Sequence, residues 1–157
     1  MEPSDVELRA VDPEHADARA CIEAYFAELG ERSGAAFDRR TSVSIAPDEL
    51  RPPAGVFLIA YRDGVPIGCG TLRHRGAGVP SDIKRMWVSR DARGLGLGRR
   101  LLTALEQRAV ADGASAVRLD TNRLLTEAIA LYRSAGYVEV PAFNDEPFAH
   151  HWFKKRL

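Results

Sequence analysis

The residues with the clearest chemical potential form a glycine-rich segment near the middle of the chain. Residues 93–98 read Arg-Gly-Leu-Gly-Leu-Gly, after an apolar strand-like run over 83–88 and before a helical pattern that begins at Gly98. Glycines two positions apart allow a sharp turn and a close approach between the backbone and a ligand. The first N–H groups of the helix lack intrahelical acceptors, and the helix dipole is positive at that end. The segment is therefore predicted to bind phosphate oxygens.

Other phosphate-binding loops fit this segment less well. A dinucleotide-binding loop, Gly-x-Gly-x-x-Gly, needs a glycine where the chain has Arg99, and it belongs in the first β-α-β unit rather than mid-chain. A Walker A loop needs Gly-Lys-Ser/Thr, which does not follow. An ordinary strand-to-helix turn stays open as an alternative, because a glycine-rich run alone is a weak indication of a ligand.

Basic residues surround the segment although the whole chain is neutral, with 22 basic and 22 acidic residues. That balance argues against bulk electrostatic binding of nucleic acid or of an anionic membrane. Because the glycine-rich segment lies in the middle of the local cluster, we interpret the cluster as an anion site rather than a solvated helix face. Its members are Lys84, Arg85, Arg90, Arg93, Arg99 and Arg100.

The cysteines and histidines point to structural roles. Cys21 and Cys69 have neither a metal-like nor a Cys-x-x-Cys spacing, so both are expected in the core. Adjacent His150 and His151 would point to opposite faces of a strand and no third ligand is suitably spaced, so no metal site is predicted; the pair is interpreted as structural or as part of the acceptor pocket. The sequence lacks a run of ~18 apolar residues and a signal-like start, which predicts a cytoplasmic, reduced protein without membrane contact.

The hydrophobic patterns predict an α/β order of elements. The expected strands cover 6–11, 56–61, 65–72, 83–88, 117–121, 137–140 and 151–154, and the expected helices cover 13–29, 98–112 and 125–135. Gly30 is expected to end the first helix, and Asp63-Gly64 predicts a hairpin turn. The irregular residues 31–54 are typical of a binding loop. One domain over residues 1–157, built on one central sheet, is predicted.

Alternation along the strand 83–88 predicts which side chains share a face. Ile83, Arg85 and Trp87 are expected on one side of the sheet, with Met86 and Val88 on the other. Glycines at 68 and 70 in the preceding strand either weaken it or mark a bulge.

Two motifs in sequence order are more specific than either alone. The strand 83–88, Ile-Lys-Arg-Met-Trp-Val, precedes the segment 93–98, and residues 128–137 read Ala-Ile-Ala-Leu-Tyr-Arg-Ser-Ala-Gly-Tyr. Together they resemble the GNAT superfamily of acetyl-CoA-dependent N-acetyltransferases, whose Arg/Gln-x-x-Gly-x-Gly pattern is met within 93–98. The resemblance covers about residues 56–140. It implies a mixed, mostly antiparallel central sheet flanked by helices.

The resemblance implies acetyl-CoA as co-substrate and no metal. The strands 83–88 and 117–121 would diverge to make a slot, and backbone groups of residues 86–88 would bind the pantetheine arm as an added strand. Amides from Gly94 to Arg99 would hold the pyrophosphate, with a guanidinium of Arg93, Arg99 or Arg100 within reach. The implied contacts are Met86, Trp87, Val88, Arg93, Gly94, Leu95, Gly96, Leu97, Gly98 and Arg99.

One position departs from the family pattern. Many members carry an asparagine seven residues before the catalytic tyrosine, where it contacts pantetheine, and this chain has Leu125 there. Asn122 lies three residues earlier and either takes over the cofactor contact or caps the following helix.

The catalytic roles are also implied by the resemblance. Tyr132 matches the tyrosine that donates a proton to the departing CoA thiolate, although its spacing alone would favour a core residue. The acceptor amine must lose a proton before attack, and a carboxylate can take it directly or through water. Asp120 stands where some members carry a glutamate and is ranked first; Asp82 stands where others carry one.

The function implied is transfer of acetyl to a primary amine of a small molecule, amino acid or peptide, by direct attack in a ternary complex. Loops 31–54 and 141–149 are expected to wall the acceptor pocket, where Arg39 and Arg40 would attract a carboxylate, or Asp145 and Glu146 a cation. A non-catalytic acyl-CoA-binding module or sensor and a nucleotide-binding regulatory domain stay open as alternatives. By analogy with relatives, a homodimer is also open.

Overall fold

The computed structural model describes residues 5–33 and 45–157. Within them the chain forms three α-helices and seven strands, with short 3₁₀ turns at Pro47–Leu50 and Arg90–Ala92. The helices are α1 (Ala16–Ser33), α2 (Leu97–Ala111) and α3 (Thr126–Ser134). The strands are β1 (Glu7–Ala10), β2 (Gly55–Arg62), β3 (Val65–Arg73), β4 (Ser81–Val88), β5 (Ala116–Thr121), β6 (Val138–Val140) and β7 (His151–Arg156).

All seven strands join one sheet in the order β1-β2-β3-β4-β5-β7-β6. Every neighbouring pair is antiparallel except β4 and β5, which are parallel. Consecutive residues of β2 point to opposite faces of the sheet and belong to different cores. Phe57 packs with Ala18 of α1, whereas Val56 packs in the cluster that contains Leu102 of α2 and Tyr132 of α3. The predicted fold class, a mixed and mostly antiparallel sheet flanked by helices, is confirmed.

The β2–β3 hairpin forms where the sequence predicted it. Asp63 and Gly64 have φ angles of 52° and 77°, so both central residues of the turn are left-handed. This is the geometry that matches the twist of the two strands, and it explains the choice of Asp-Gly.

Helix α1 runs past the predicted end. Gly30 lies inside the helix, which continues to Ser33, so the expectation that Gly30 ends it is wrong. The last turn is held by tertiary contacts, since Arg32 Nη1 donates to the carbonyl of Leu124 (2.8 Å) and pairs with Glu127 (2.9 Å). Tertiary contact thus outweighs the low helix propensity of glycine, and α1 extends to the start of α3. Of the predicted loop 31–54, residues 34–44, with Arg39 and Arg40, lie outside the described residues.

Strand β4 contains a bulge opposite Gly70. The register shifts between Cys69 and Thr71, so Arg85 and Met86 together oppose Gly70, and Arg85 has a φ of 52°. A Cβ on Gly70 would lie 2.7 Å from Met86 Sδ, which explains why this position is glycine. Gly70 therefore marks a bulge, as one of the two sequence interpretations stated.

The bulge changes which side chains share a face. The predicted separation of Arg85 and Trp87 from Met86 and Val88 is confirmed, but the prediction that Ile83 shares the face of Arg85 and Trp87 is wrong. Ile83 packs on the α2 side together with Met86, and Val88 packs there too. Trp87 packs on the α1 side, and the Arg85 guanidinium lies over Phe26 of α1. The extra residue of the bulge shifts the alternation by one after Lys84, and it places Arg85 on the α1 face.

Strands β4 and β5 pair only at their first residues, Ser81 with Val117 and Asp82 with Arg118. Asp82 fastens this end because its buried carboxylate accepts hydrogen bonds from Arg118 (2.7 Å) and Arg73 (2.9 Å). Burial alone would raise the pKa of Asp82, but these guanidinium groups outweigh it and hold the pKa below its usual value. Beyond the fastened end the two strands separate, and a gap opens in the middle of the sheet.

Candidate active site

The glycine-rich segment forms a left-handed turn that leads into α2. Gly94 and Gly96 have φ angles of 82° and 76°, a left-handed conformation that a side chain disfavours, and nothing lies within 4 Å of a Cβ built on either. Gly98 has another role: its Cβ would lie 3.0 Å from Leu131 Cδ2, so it allows α3 to approach α2 closely. The first amides of α2 therefore open onto the space between the turn and α3.

A cleft of about 310 Å³ occupies that space. It is bounded by the end of β4, by the turn and by α3, and it includes nearly all of the predicted cofactor contacts. These are Met86, Trp87, Val88, Arg93, Gly94, Gly96, Leu97, Gly98 and Arg99. Leu95, which was also predicted, is not among the lining residues. Residues 86–88 pair with β3 on one side, and within the described residues no strand pairs with them on the other.

The basic cluster of the sequence does not converge on the cleft. Arg93 donates from Nε to the Val88 carbonyl (3.2 Å) and its Nη2 is bonded to Glu28 of α1. Arg90 pairs with Glu31 (2.6 Å), and Lys84 lies deeper, at the gap between the strands. The interpretation of all six residues as one anion site is therefore wrong, because three of them, Lys84, Arg90 and Arg93, face carboxylates of this chain.

Arg99 lines the cleft at its outer end. Its Nη2 donates to Ser134 Oγ (2.5 Å), and the side chain is exposed. An exposed guanidinium at the first turn of α2 can move to meet an anion at low cost, since its present partner is a single neutral hydroxyl.

Tyr132 stands on the wall that the cleft shares with a second, smaller cavity of about 20 Å³ between β4 and β5. Its ring packs 6.1 Å from that of Phe153 and 5.9 Å from that of Tyr137, and the residue is 4% exposed. Burial, and then the charges of Tyr25 and Asp120, raise the pKa of Tyr132 above its usual value. Its phenol is therefore protonated at neutral pH, as a proton donor requires.

Asp120 lines the second cavity together with Tyr132. Its Oδ2 accepts hydrogen bonds from Lys84 Nζ and from Asn144 Nδ2, each at 2.8 Å, and Asn144 Oδ1 in turn accepts from Trp152 Nε1 at 2.9 Å. Both contacts are to Oδ2, and among residues 5–33 and 45–157 none reaches Oδ1. The carboxylate is thus held through Oδ2, and Oδ1 is left to meet a substrate.

Asp82, the second candidate base, lies at the opposite, fastened end of β4. It lines neither the cleft nor the second cavity, and its carboxylate holds Arg73, Arg75 and Arg118. Its surroundings are those of a structural ion-pair network rather than of a base that meets substrate.

Asn122 does not reach the cleft. Its Oδ1 accepts the N–H of Leu124 (2.9 Å) and its Nδ2 donates to the carbonyl of Phe148 (2.9 Å). It therefore organises the turn before α3, whereas Leu125, at the position where many relatives carry asparagine, lines the cleft. Of the two roles given to Asn122, the structural one agrees with these contacts.

The sequence model of the Acetyltransferase (GNAT) family matches residues 18–137, well over half of the chain. The protein belongs to the GNAT acetyltransferase family. It is thus an acyltransferase, and the resemblance carried by residues 83–98 and 128–137 is confirmed.

Individual relatives agree with this assignment. An IAA acetyltransferase of Azospirillum brasilense is 40% identical over 95 residues, which are 60% of this chain and 62% of that protein's length. A Klebsiella pneumoniae crystal structure, a candidate acyl-CoA N-acyltransferase, superposes with a TM-score of 0.76 at 25% identity over 97% of both chains. The PaiA N-acetyltransferase of Thermoplasma acidophilum, solved with coenzyme A, shares the fold (TM-score 0.74, 16% identity, 97% and 99% of the two chains).

Several site residues of this GNAT protein had no signal in the sequence. Glu28 of α1 lines the cleft and is bonded to Arg93, and Asn144 of the predicted loop 141–149 donates to Asp120. Tyr25 of α1 lines the second cavity, and burial raises the pKa of its phenol to about 12. Arg85 was placed by the bulge, which alternation does not reveal.

Among the residues that the structure describes, no group of three or more His, Cys, Asp or Glu side chains is arranged to hold a metal ion. Within the same ranges, the helices are too short or too polar to cross a membrane.

Proposed function

We propose that the protein transfers acetyl from acetyl-CoA to a primary amine of a small molecule, amino acid or peptide, by direct attack in a ternary complex. The observation that carries the proposal is the position of Tyr132, whose side chain borders both the cleft and the second cavity. A proton donor at this border lies between a thioester in the cleft and an amine that enters from the other side.

The cleft has the features that acetyl-CoA needs. The free edge of residues 86–88 suits the amide groups of a pantetheine arm, which would add to the sheet like a strand. The left-handed turn at Gly94 and Gly96 and the first amides of α2 suit the pyrophosphate, and Arg99 supplies an adaptable cation. Acetyl-CoA is the acyl donor in this proposal because the family and the name of the Azospirillum relative both specify acetyl transfer.

The residues of the second cavity suit the acceptor. An alkyl ammonium, with a pKa near ~10.4, must lose a proton before its nitrogen can attack a carbonyl carbon. Asp120 takes this proton with Oδ1, directly or through one water, while Lys84 and Asn144 hold Oδ2. The nitrogen then attacks the carbonyl carbon and forms the amide bond, the carbon–sulfur bond breaks, and Tyr132 gives its proton to the departing sulfur. The second proton of the nitrogen leaves as the amide forms and restores the phenol of Tyr132 through solvent, so that one proton, the one taken by Asp120, is released per turnover.

The test of this function is an acceptor screen with acetyl-CoA in which the released thiol is measured. We expect amine-dependent thiol release, and we expect acetyl-CoA, but not NAD or ATP, to raise the thermal midpoint of the protein. Stabilisation by acetyl-CoA with no turnover on any amine would favour a non-catalytic acyl-CoA-binding module. Stabilisation by NAD or ATP instead would favour a nucleotide-binding domain.

The glycine turn gives a prediction with a matched control. Gly96→Ala forces a side chain into the left-handed region, which costs about 1–2 kcal/mol, and places a methyl group at the cleft. We expect the affinity for coenzyme A to fall by about tenfold or more. Isothermal titration of coenzyme A measures the change.

The control is Gly64→Ala in the β2–β3 turn. Gly64 has a φ of 77° against 76° for Gly96, and a Cβ on either would meet nothing within 4 Å, so the two substitutions carry the same strain. Only Gly96 lines the cleft. Equal losses of affinity in both variants would show that the effect is general strain and would contradict the phosphate site.

A further inference from the structure

The acceptor side of the site contains a cation that the transfer chemistry does not use. Arg85 lines the second cavity with Asp120 and Tyr132, and it also lines a third cavity, again of about 20 Å³, with Asp120, Glu146 and Phe148. A positively charged side chain would repel an approaching ammonium group if it served only as surroundings for the amine. An acceptor that carries a negative group besides its amine would be attracted by Arg85 while the amine meets Asp120.

The backbone conformation of β4 fixes the position of Arg85 beside these cavities. As the extra residue of the β4 bulge it holds a φ of 52°, a conformation uncommon for a residue with a side chain. The bulge is locked by neighbouring side chains of β3, because Cys69 Sγ donates to the Arg85 carbonyl (3.3 Å) and Thr71 Oγ1 donates to that of Lys84 (3.0 Å). The regular alternation of an unbulged strand would place this side chain on the other face of the sheet.

The guanidinium is also held in orientation by aromatic rings. Its carbon lies 4.9 Å from the ring centroid of Phe26 and 5.7 Å from that of Tyr25. Rings at this distance favour the cation and limit its rotation. A guanidinium presents five N–H donors in a planar fork, enough to hold a protein acceptor and a substrate carboxylate together.

We propose that the acceptor is an amine that bears a carboxylate and that Arg85 binds this carboxylate; this inference rests on the proposed function. Asp120 then faces the amine, and Arg85 faces the acid group of the same small molecule. An amino acid carries both groups, separated by one carbon atom, and is the acceptor class proposed. Arg85 is thereby a specificity-determining residue of the acceptor site.

A polycationic acceptor is the competing class, since Asp120 and Glu146 both line the third cavity. Arg85 favours the carboxylate class because it lines both small cavities, whereas Glu146 lines only the outer one. Glu146 therefore lies farther from the reacting centre at Tyr132 than Arg85 does.

The experiment compares L-amino acids with their amides and with spermidine as acceptors, with acetyl-CoA as donor and released thiol as readout. We expect kcat/KM for the best amino acid to exceed that of its amide by about 10- to 100-fold, the range for a charge-assisted, bidentate hydrogen bond. Arg85→Gln is expected to bring this ratio close to one mainly through KM for the amino acid, and Arg85→Lys to restore part of it.

Arg90→Gln is the matched control, because Arg90 lies on the turn after β4, pairs with exposed Glu31 and lines none of the three cavities. It should keep the native ratio and the native turnover. Equal or faster turnover of amides or spermidine in the native enzyme would overturn the role of Arg85 and leave amine acetylation intact. A ratio that survives Arg85→Gln would overturn it too. Absence of turnover on every amine would overturn both proposals.

Discussion

Tyr132→Phe is expected to lower kcat by about 10²- to 10⁴-fold, the usual contribution of a positioned general acid. Without the phenolic proton, the thiolate must leave unprotonated or take its proton from water. Coenzyme A affinity should stay close to that of the native enzyme, since the ring keeps its contacts with Phe153 and Tyr137. Thiol release at saturating acetyl-CoA measures kcat, and titration of coenzyme A measures affinity.

Tyr137→Phe is the control for the loss of a phenol at the same core. The Tyr137 hydroxyl donates to Glu106 (2.8 Å), away from both cavities. Its removal should cost about 1.5–3 kcal/mol of unfolding free energy, as for other hydrogen bonds to charged groups, and leave kcat unchanged. If Tyr132→Phe retained native turnover, or if both variants lost it equally, Tyr132 would have no part in proton transfer.

The elements that the sequence predicted well are those whose signals are local. The Asp63-Gly64 turn follows from two residues that tolerate a left-handed backbone, and the glycine-rich turn follows from the same physics at Gly94 and Gly96. Tyr132 is different, because its helical spacing predicts only burial; the family motif around it supplied the functional interpretation.

The features that the sequence did not reveal depend on contacts between distant residues. Helix α1 continues through Gly30 because Arg32 meets the start of α3, more than ninety residues later. The bulge at Arg85 depends on Gly70 in the neighbouring strand, and it places Ile83 on the face opposite Arg85, where simple alternation puts both on one face. The basic residues near the glycine-rich turn were predicted to bind an anionic ligand, but two of them, Arg90 and Arg93, pair with Glu31 and Glu28 of α1. Such pairings need the folded chain, since no period or spacing encodes them.

The resemblance ranked Asp120 ahead of Asp82 as the base, and the surroundings of the two carboxylates favour the same order. This order yields the second large prediction. Asp120→Asn is expected to lower kcat by about 10²-fold or more, because the amine loses its proton acceptor. It should also lower the unfolding free energy by about 3–5 kcal/mol, as for other buried ion pairs that lose one partner, since Lys84 is only 10% exposed. Turnover and urea unfolding measure the two effects separately.

Asp82→Asn removes a carboxylate that is buried as deeply and paired with three guanidinium groups, but it lies far from the cleft along β4. It should lose stability to a similar extent and keep native kcat.

The pH dependence gives a further distinction. Without a base, only neutral amine reacts, so kcat of Asp120→Asn should rise about tenfold per pH unit up to an amine pKa of about 10.4. The native enzyme should level off at neutral pH. Parallel profiles for both enzymes, or equal losses of kcat in both variants, would mean that Asp120 only supports the fold and that the amine is deprotonated by another route.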